Sequence, residues 1–285
     1  MSIHTVAVLG AGTMGHGIAH VTAAAGGLVR LYDLDEGTAQ RGLDSIARNL
    51  DKGVQRGKVT PEERDATLPR ITPTTDLAEA VAGADLVVEA VPEKLELKQA
   101  LFRNVQELAP AEAVLGTNTS SLSIASIASA VDDPGRVIGL HFFNPVHIMK
   151  LLEIVVSEHT RDDVLERCRA WGTTIGKQCI TVRDAPGFAT SRLGVCLGME
   201  AIRMVEQGVA SPEDIDTAMV LGYRHPIGPL KLTDLVGLDV RMHIGEYLAE
   251  QLGNEAFRPP ELMRRMVAEG RLGKKSGVGF YDWSE

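Results

Sequence analysis

The chain has 285 residues, more than one ordinary domain uses, so a large domain followed by a smaller one is expected. Lys and Arg number 29 against 38 Asp and Glu, a net charge of −9 that argues against a general nucleic-acid binder or a protein adhering to anionic membranes, and any anionic ligand must be gathered by a local basic cluster. Cys168, Cys179 and Cys196 are too scattered for a disulfide framework or a clustered metal site, no run of about 18 apolar residues occurs, and no leader fits before Thr5, so a soluble cytoplasmic protein without a metal is expected.

From Thr5 to about Thr181, short β-branched runs alternate with longer helical patterns. TVAVL, LVRLYD, ADLVVEAV, AVLGTN, RVIGLHF, KLLEIVV and CITV read as strands, and Thr13 to Ala25, Lys94 to Leu108 and Asp162 to Ile175 as helices. That alternation predicts an α/β domain with a largely parallel sheet covered by helices on both faces. Between the second and third of these strands lies a long polar segment, roughly Asp35 to Arg70, with Leu43, Ile46, Leu50 and Val54 at helical spacing; it predicts a helical hairpin projecting from the sheet. Asp184-Ala185-Pro186-Gly187 breaks the alternation, and strand character is absent beyond it. Residues 1–184 are therefore expected to form the sheet domain and residues 185–285 an all-α domain.

Gly10-Ala11-Gly12-Thr13-Met14-Gly15 fits G-x-G-x-x-G directly after a predicted strand and at the opening of a predicted helix, and Asp33 ends the next strand. In this Rossmann-type context Gly10 permits the tight turn, Gly12 admits a pyrophosphate to the backbone, and Gly15 allows close helix packing, with Thr13 and Met14 at the helix start. Asp33 would accept from ribose hydroxyls and repel a 2′-phosphate, which favours NAD over NADP. A purely structural strand-turn-helix with a surface Asp is the competing reading.

His141 ends one apolar run and Glu153 interrupts another, Leu151 to Val156. An isolated ionised carboxylate among such neighbours loses its hydration without return, so it is expected to be protonated, exposed or paired. Asn144-Pro145 lies in the connection and suits a turn, which allows His141 and Glu153 to face each other on adjacent strands. Beside a nicotinamide such a pair supplies the base that alcohol oxidation needs; a satisfied structural ion pair is the alternative.

GAGTMGHGIA, VVEAVPE, NTSSL, HFFNP, KLLEIV, DAPGF, EDIDTAM, GLDV and GKKSGVGFYDW occur in an order and spacing that resembles the 3-hydroxyacyl-CoA dehydrogenases over nearly the whole chain. The likeness is greatest to their single-function bacterial 3-hydroxybutyryl-CoA dehydrogenase branch. The resemblance implies NAD-dependent oxidation of (S)-3-hydroxyacyl-CoA to 3-oxoacyl-CoA and the reverse reduction. It implies His141 as catalytic base, Glu153 as its partner, Ser120 on the substrate's 3-oxygen, and Asn144, Glu93, Lys98 and Lys275 as cofactor contacts. Lys52 and Arg56, with Lys58 nearby, would serve the coenzyme A portion, and the C-terminal helical domain a homodimer.

For Glu93 and Lys98 the alternative is a solvated helix start, for Lys275 a solvated tail lysine, and for Ser120 a plain turn. One departure stands out: where most members carry an asparagine that contacts substrate, this chain has Ser191, which is shorter and offers one hydroxyl. A dehydrogenase of a free hydroxy acid or sugar acid, and a non-catalytic NAD-binding relative, are the competing functions.

Overall fold

The computed structural model describes residues 2–284, which fall into two compact units that divide between Asp184 and Ala185. In the first, eight strands form one sheet: β1 (Thr5–Leu9), β2 (Leu28–Tyr32), β3 (Ile71–Thr74), β4 (Leu86–Glu89), β5 (Val114–Thr117), β6 (Val137–Phe142), β7 (Leu151–Val156) and β8 (Gln178–Arg183). Their spatial order is β3-β2-β1-β4-β5-β6-β7-β8. Every neighbouring pair is parallel except β6 with β7, because the connection across residues 143–150 is too short for a crossover. The chain leaves β1 toward β2 and β3, then returns to β4 on the other side of β1, which creates a switch point at the carboxyl ends of β1 and β4.

Helices α1 (Thr13–Ala24), α2 (Glu36–Gln55), α3 (Pro61–Thr67), α4 (Leu77–Val81), α5 (Leu95–Leu108), α6 (Ile124–Ala128) and α7 (Asp162–Thr174) complete this unit. Val6, Val8, Leu86, Val88, Ile138, Leu140, Leu152 and Ile154 are fully buried in its core. Strand β3 is absent from the sequence-based expectation. Its Pro73 weakens the strand pattern, yet β3 lies at the sheet edge, where a missing N–H is tolerated. The expected hairpin corresponds to α2 and α3, joined by an Arg64–Asp51 ion pair at 3.1 Å. Asp35 caps α2, Thr60 and Glu63 form a capping box on α3, and Ile46 and Leu50 anchor α2 in the core, while Lys52, Arg56 and Lys58 stay exposed.

The second unit is helical, with α8 (Thr190–Glu206), α9 (Pro212–Thr217), α10 (Pro229–Val236), α11 (Leu238–Leu252) and α12 (Glu261–Ala268). Val195, Met199 and Ile202 place one apolar face of α8 in a core with Leu230, Leu238, Leu248 and Met263, whereas Leu193 is 72% exposed. The buried Asp234 carboxylate accepts from Phe280 N, Tyr281 N and Trp283 Nε1, all at 2.9 Å, and so fastens the C-terminal segment. No helix among the described residues is long and apolar enough to cross a membrane.

Candidate active site

At the switch point Gly10 has φ +99°, and a Cβ there would stand 2.8 Å from the Ala90 carbonyl oxygen, so the β1 turn passes against the end of β4. A Cβ at Gly15 would overlap the Gly10 carbonyl, whereas the space above Gly12 is open. Helix α1 begins at Gly12 with no side-chain cap and no acidic residue in its first turn, so its N–H groups and positive dipole end are left for an anion. Asp33 follows β2 and accepts from Ala11 N at 2.8 Å through Oδ2, which brings a carboxylate to the same turn. Thr13 is exposed, and Met14 packs partly buried against the core. These features fit a dinucleotide: an open approach at Gly12, an uncapped helix start and an acid at the end of the second strand.

In the antiparallel pair, the register sets His141 directly opposite Glu153. His141 Nδ1 lies 2.7 Å from Glu153 Oε2; the carboxylate side chain is wholly buried and the imidazole 6% exposed. Of the three states open to Glu153 in the sequence, the paired one is realised. The imidazole also lies against Phe143, with ring centroids 4.4 Å apart. Asn118 Oδ1 accepts from Phe142 N at 2.9 Å and so ties the segment carrying Ser120 to the residue after His141. Asn144 is exposed in the β6–β7 connection.

Ser120 N donates to Glu93 Oε1 at 2.9 Å, and the same oxygen accepts from Thr119 Oγ1 at 2.5 Å and Ser121 N at 3.3 Å. Glu93 Oε2 is 3.3 Å from Lys98 Nζ. The solvated helix start allowed for Lys98 is overturned: its side chain is 0% exposed, and Nζ bonds both oxygens of the equally buried Glu89 at 2.8 and 2.9 Å. The fully buried ammonium reaches the rim through its 3.3 Å contact with the partly exposed Glu93. Burial pushes the Glu89 carboxyl above the usual carboxylate range, and the Lys98 ammonium opposes that shift. Sequence reasoning passed over Glu89, although it carries the signal used for Glu153, an acid at the end of an apolar run.

A second group also went unread. His20 on α1 stacks on His147 of the β6–β7 connection with ring centroids 5.3 Å apart, and a Cβ at Gly17 would stand 2.8 Å from Val146. Lys177 Nζ, just before β8, donates to the Val146 carbonyl and to Met149 O at 2.7 Å, which fastens this connection from the β8 side. Burial lowers the His20 pKa to about 4, helped by His147, His16 and Lys177.

The remaining expected residues are carried by other elements. Lys52 and Arg56 make no ion pair among the described residues, and each is exposed. Ser191 and Lys275 belong to the second unit, where Ser191 sits in the first turn of α8 and Lys275 is 2.6 Å from Asp239. A cavity of about 580 Å³ in that unit, lined by residues including Asp216, Ile227, Lys231 and Tyr281, contains none of the expected site residues.

Two family models match the chain: the 3-hydroxyacyl-CoA dehydrogenase NAD binding domain over residues 5–185, and the 3-hydroxyacyl-CoA dehydrogenase C-terminal domain over residues 187–283. The chain is 44% identical over 284 residues to a 3-hydroxyadipyl-CoA dehydrogenase of Escherichia coli K12, covering 99% of this chain and 60% of that relative's length. It is 42% identical over 285 residues to a probable 3-hydroxybutyryl-CoA dehydrogenase of Bacillus subtilis, covering 100% of this chain and 99% of the relative. Its structure superposes on the crystal structure of a (S)-3-hydroxybutyryl-CoA dehydrogenase from Ralstonia eutropha with a TM-score of 0.95 at 38% identity, over 100% of both chains. On these matches, spanning both units, the chain belongs to the 3-hydroxyacyl-CoA dehydrogenase family and carries its NAD-binding domain.

Proposed function

We propose that the protein interconverts short-chain (S)-3-hydroxyacyl-CoA, of the 3-hydroxybutyryl-CoA kind, with 3-oxoacyl-CoA, using NAD. The observation that carries this reading is the buried 2.7 Å contact between His141 Nδ1 and Glu153 Oε2 in an NAD-binding member of this family. Bound NAD supplies the hydride acceptor for oxidation. Gly10, Gly12, Thr13, Met14 and Gly15 hold its pyrophosphate end, Asp33 its adenine ribose, and Asn144 and Glu93, with Lys98 behind Glu93, its nicotinamide side; Lys275 is a further contact.

With Nδ1 donating to Glu153, proton exchange with substrate falls to His141 Nε2. That nitrogen takes the 3-hydroxyl proton in oxidation and returns it in reduction, and the Glu153 carboxylate stabilises the imidazolium formed in between. The base must be neutral to start oxidation and charged to start reduction, so the oxidative optimum lies at the higher pH. Ser120 bonds the substrate's 3-oxygen, Ser191 contacts the acyl portion in place of the usual asparagine, and Lys52 and Arg56 meet the coenzyme A phosphates. Their exposure, with no ion pair among the described residues, leaves both charges available for that last role.

The experiment is NADH oxidation with acetoacetyl-CoA against free acetoacetate. Turnover of the thioester alone is expected; equal or faster turnover of the free acid would favour a hydroxy-acid dehydrogenase, and turnover of neither a non-catalytic relative. The homodimer is part of the same reading. Leu193, Val209, Leu221 and Tyr223 are 59–77% exposed on the second unit and are available to such an interface. Sedimentation as a dimer is expected. A cytoplasmic location is part of the same proposal.

A further inference from the structure

Glu89 and Glu93 share one ammonium, and they use it unequally. Glu89 ends β4 with its side chain wholly buried, and its oxygens take Lys98 Nζ at 2.8 and 2.9 Å, the Val91 N–H at 3.2 Å and the Thr117 hydroxyl in a short contact. Thr117 is its register partner on β5, so the carboxylate is gripped by both strands. Glu93 reaches the same ammonium only at 3.3 Å, and its other oxygen faces outward to the Thr119 hydroxyl and the Ser120 and Ser121 N–H groups. The start of that segment is fixed separately, through Asn118 N on Glu89 O at 2.9 Å and Asn118 Oδ1 on Phe142 N.

We propose that Glu89 is a positioning residue for the reaction: by occupying Lys98 with two short bonds, it keeps Glu93 at the rim, where Glu93 holds the Ser120 segment in place beside the β6 strand end that carries His141. This rests on the reading of Ser120 as the substrate contact. A buried ammonium that loses its close carboxylate must find another, since an uncompensated charge inside the protein is strongly unfavourable. The carboxylate within reach is Glu93. Drawn inward to Lys98, Glu93 releases the Ser120 and Ser121 amides, which loosens the segment between its Asn118 anchors and the bonds from Ser121 N and Leu122 N to Thr119 Oγ1.

Three variants separate this role from a plain contribution to stability: Glu89→Gln, Lys98→Met and the two combined. The double variant leaves no buried charge unpaired, so its Tm should recover most of what each single change loses. Glu89→Gln alone, whose unpaired ammonium draws Glu93 inward, should speed hydrogen exchange of the amides at residues 118–122 at least tenfold and lower kcat with acetoacetyl-CoA and NADH at least tenfold. Lys98→Met and the double variant, with no ammonium to draw Glu93, should keep nearly parental exchange in this segment although Lys98→Met loses Tm. Parental exchange in Glu89→Gln, or exchange in Lys98→Met as fast as in Glu89→Gln, would overturn the proposal. Glu93→Gln, a change at the rim, guards against failure of the buried variants to fold: it should speed the same exchange at nearly parental Tm, and unchanged exchange would equally refute the role. Should the parent itself not turn over the thioester, the reading of function fails, while the exchange measurement still decides the positioning of the Ser120 segment.

Discussion

Glu153→Gln removes one charge and almost no volume from the interior of the sheet. Glu153 is wholly buried and 2.7 Å from Nδ1, with charge centres that lie about 4 Å apart once the imidazole is protonated. At an effective dielectric of about 20, two such charges interact by about 4 kcal/mol. At about 1.4 kcal/mol per decade this is roughly a thousandfold in rate, within the range of about 10²–10⁴ ordinary for general acid–base groups. Steady-state kcat should therefore fall about a thousandfold in oxidation, where the imidazolium forms, and with unchanged KM values the fixed overall equilibrium constant imposes the same fall on reduction at a given pH. NADH affinity should be unchanged, because the dinucleotide features lie at the β1 and β4 ends. A folded variant with kcat within threefold of the parent would refute the view that the carboxylate stabilises the charged ring.

Two other expectations follow from exposed and buried charges. Reversal of Lys52 and Arg56 to Glu should raise KM for acetoacetyl-CoA at least tenfold while KM for NADH holds, and a matching rise in both would place these residues outside the coenzyme A contact. His20 has a folded pKa of about 4 against an ordinary 6.5, so the folded protein binds fewer protons than the unfolded chain between these values. The stability it contributes is complete above pH 6.5 and is lost as pH falls toward 4, in all about 3 kcal/mol at about 1.4 kcal/mol per pH unit. His20→Phe keeps a ring against His147 but removes the proton, so its Tm should fall several degrees less than the parent's between pH 7 and pH 4.5; parallel curves would contradict the assignment.

The parts of the fold that were legible in the sequence are those with a local period. Val6, Val8, Leu86 and Val88 mark strands through short β-branched runs, and the glycine turn with Asp33 marks the nucleotide end, because each depends on neighbours along the chain. The His141–Glu153 contact was legible for a related reason: two strands joined by a short turn leave few registers, and an acid among Leu152, Ile154 and Val155 demands a partner. Strand β3 was not legible, since Pro73 masks an edge strand whose existence depends on pairing with β2. The burial of Lys98 was not legible because a lysine in a helix's first turn is ordinarily solvated, and only the distant meeting of β4, β5 and α5 buries it. The His20–His147 stack likewise joins residues 127 apart in number, and no local pattern announces it.

The most direct test of the account is kcat for His141→Ala with acetoacetyl-CoA and NADH, measured together with NADH binding to the same folded protein. The account predicts a fall of about 10²–10⁴ in kcat with cofactor affinity retained. Turnover near the parental rate would contradict the assignment of His141 as the group that carries the proton.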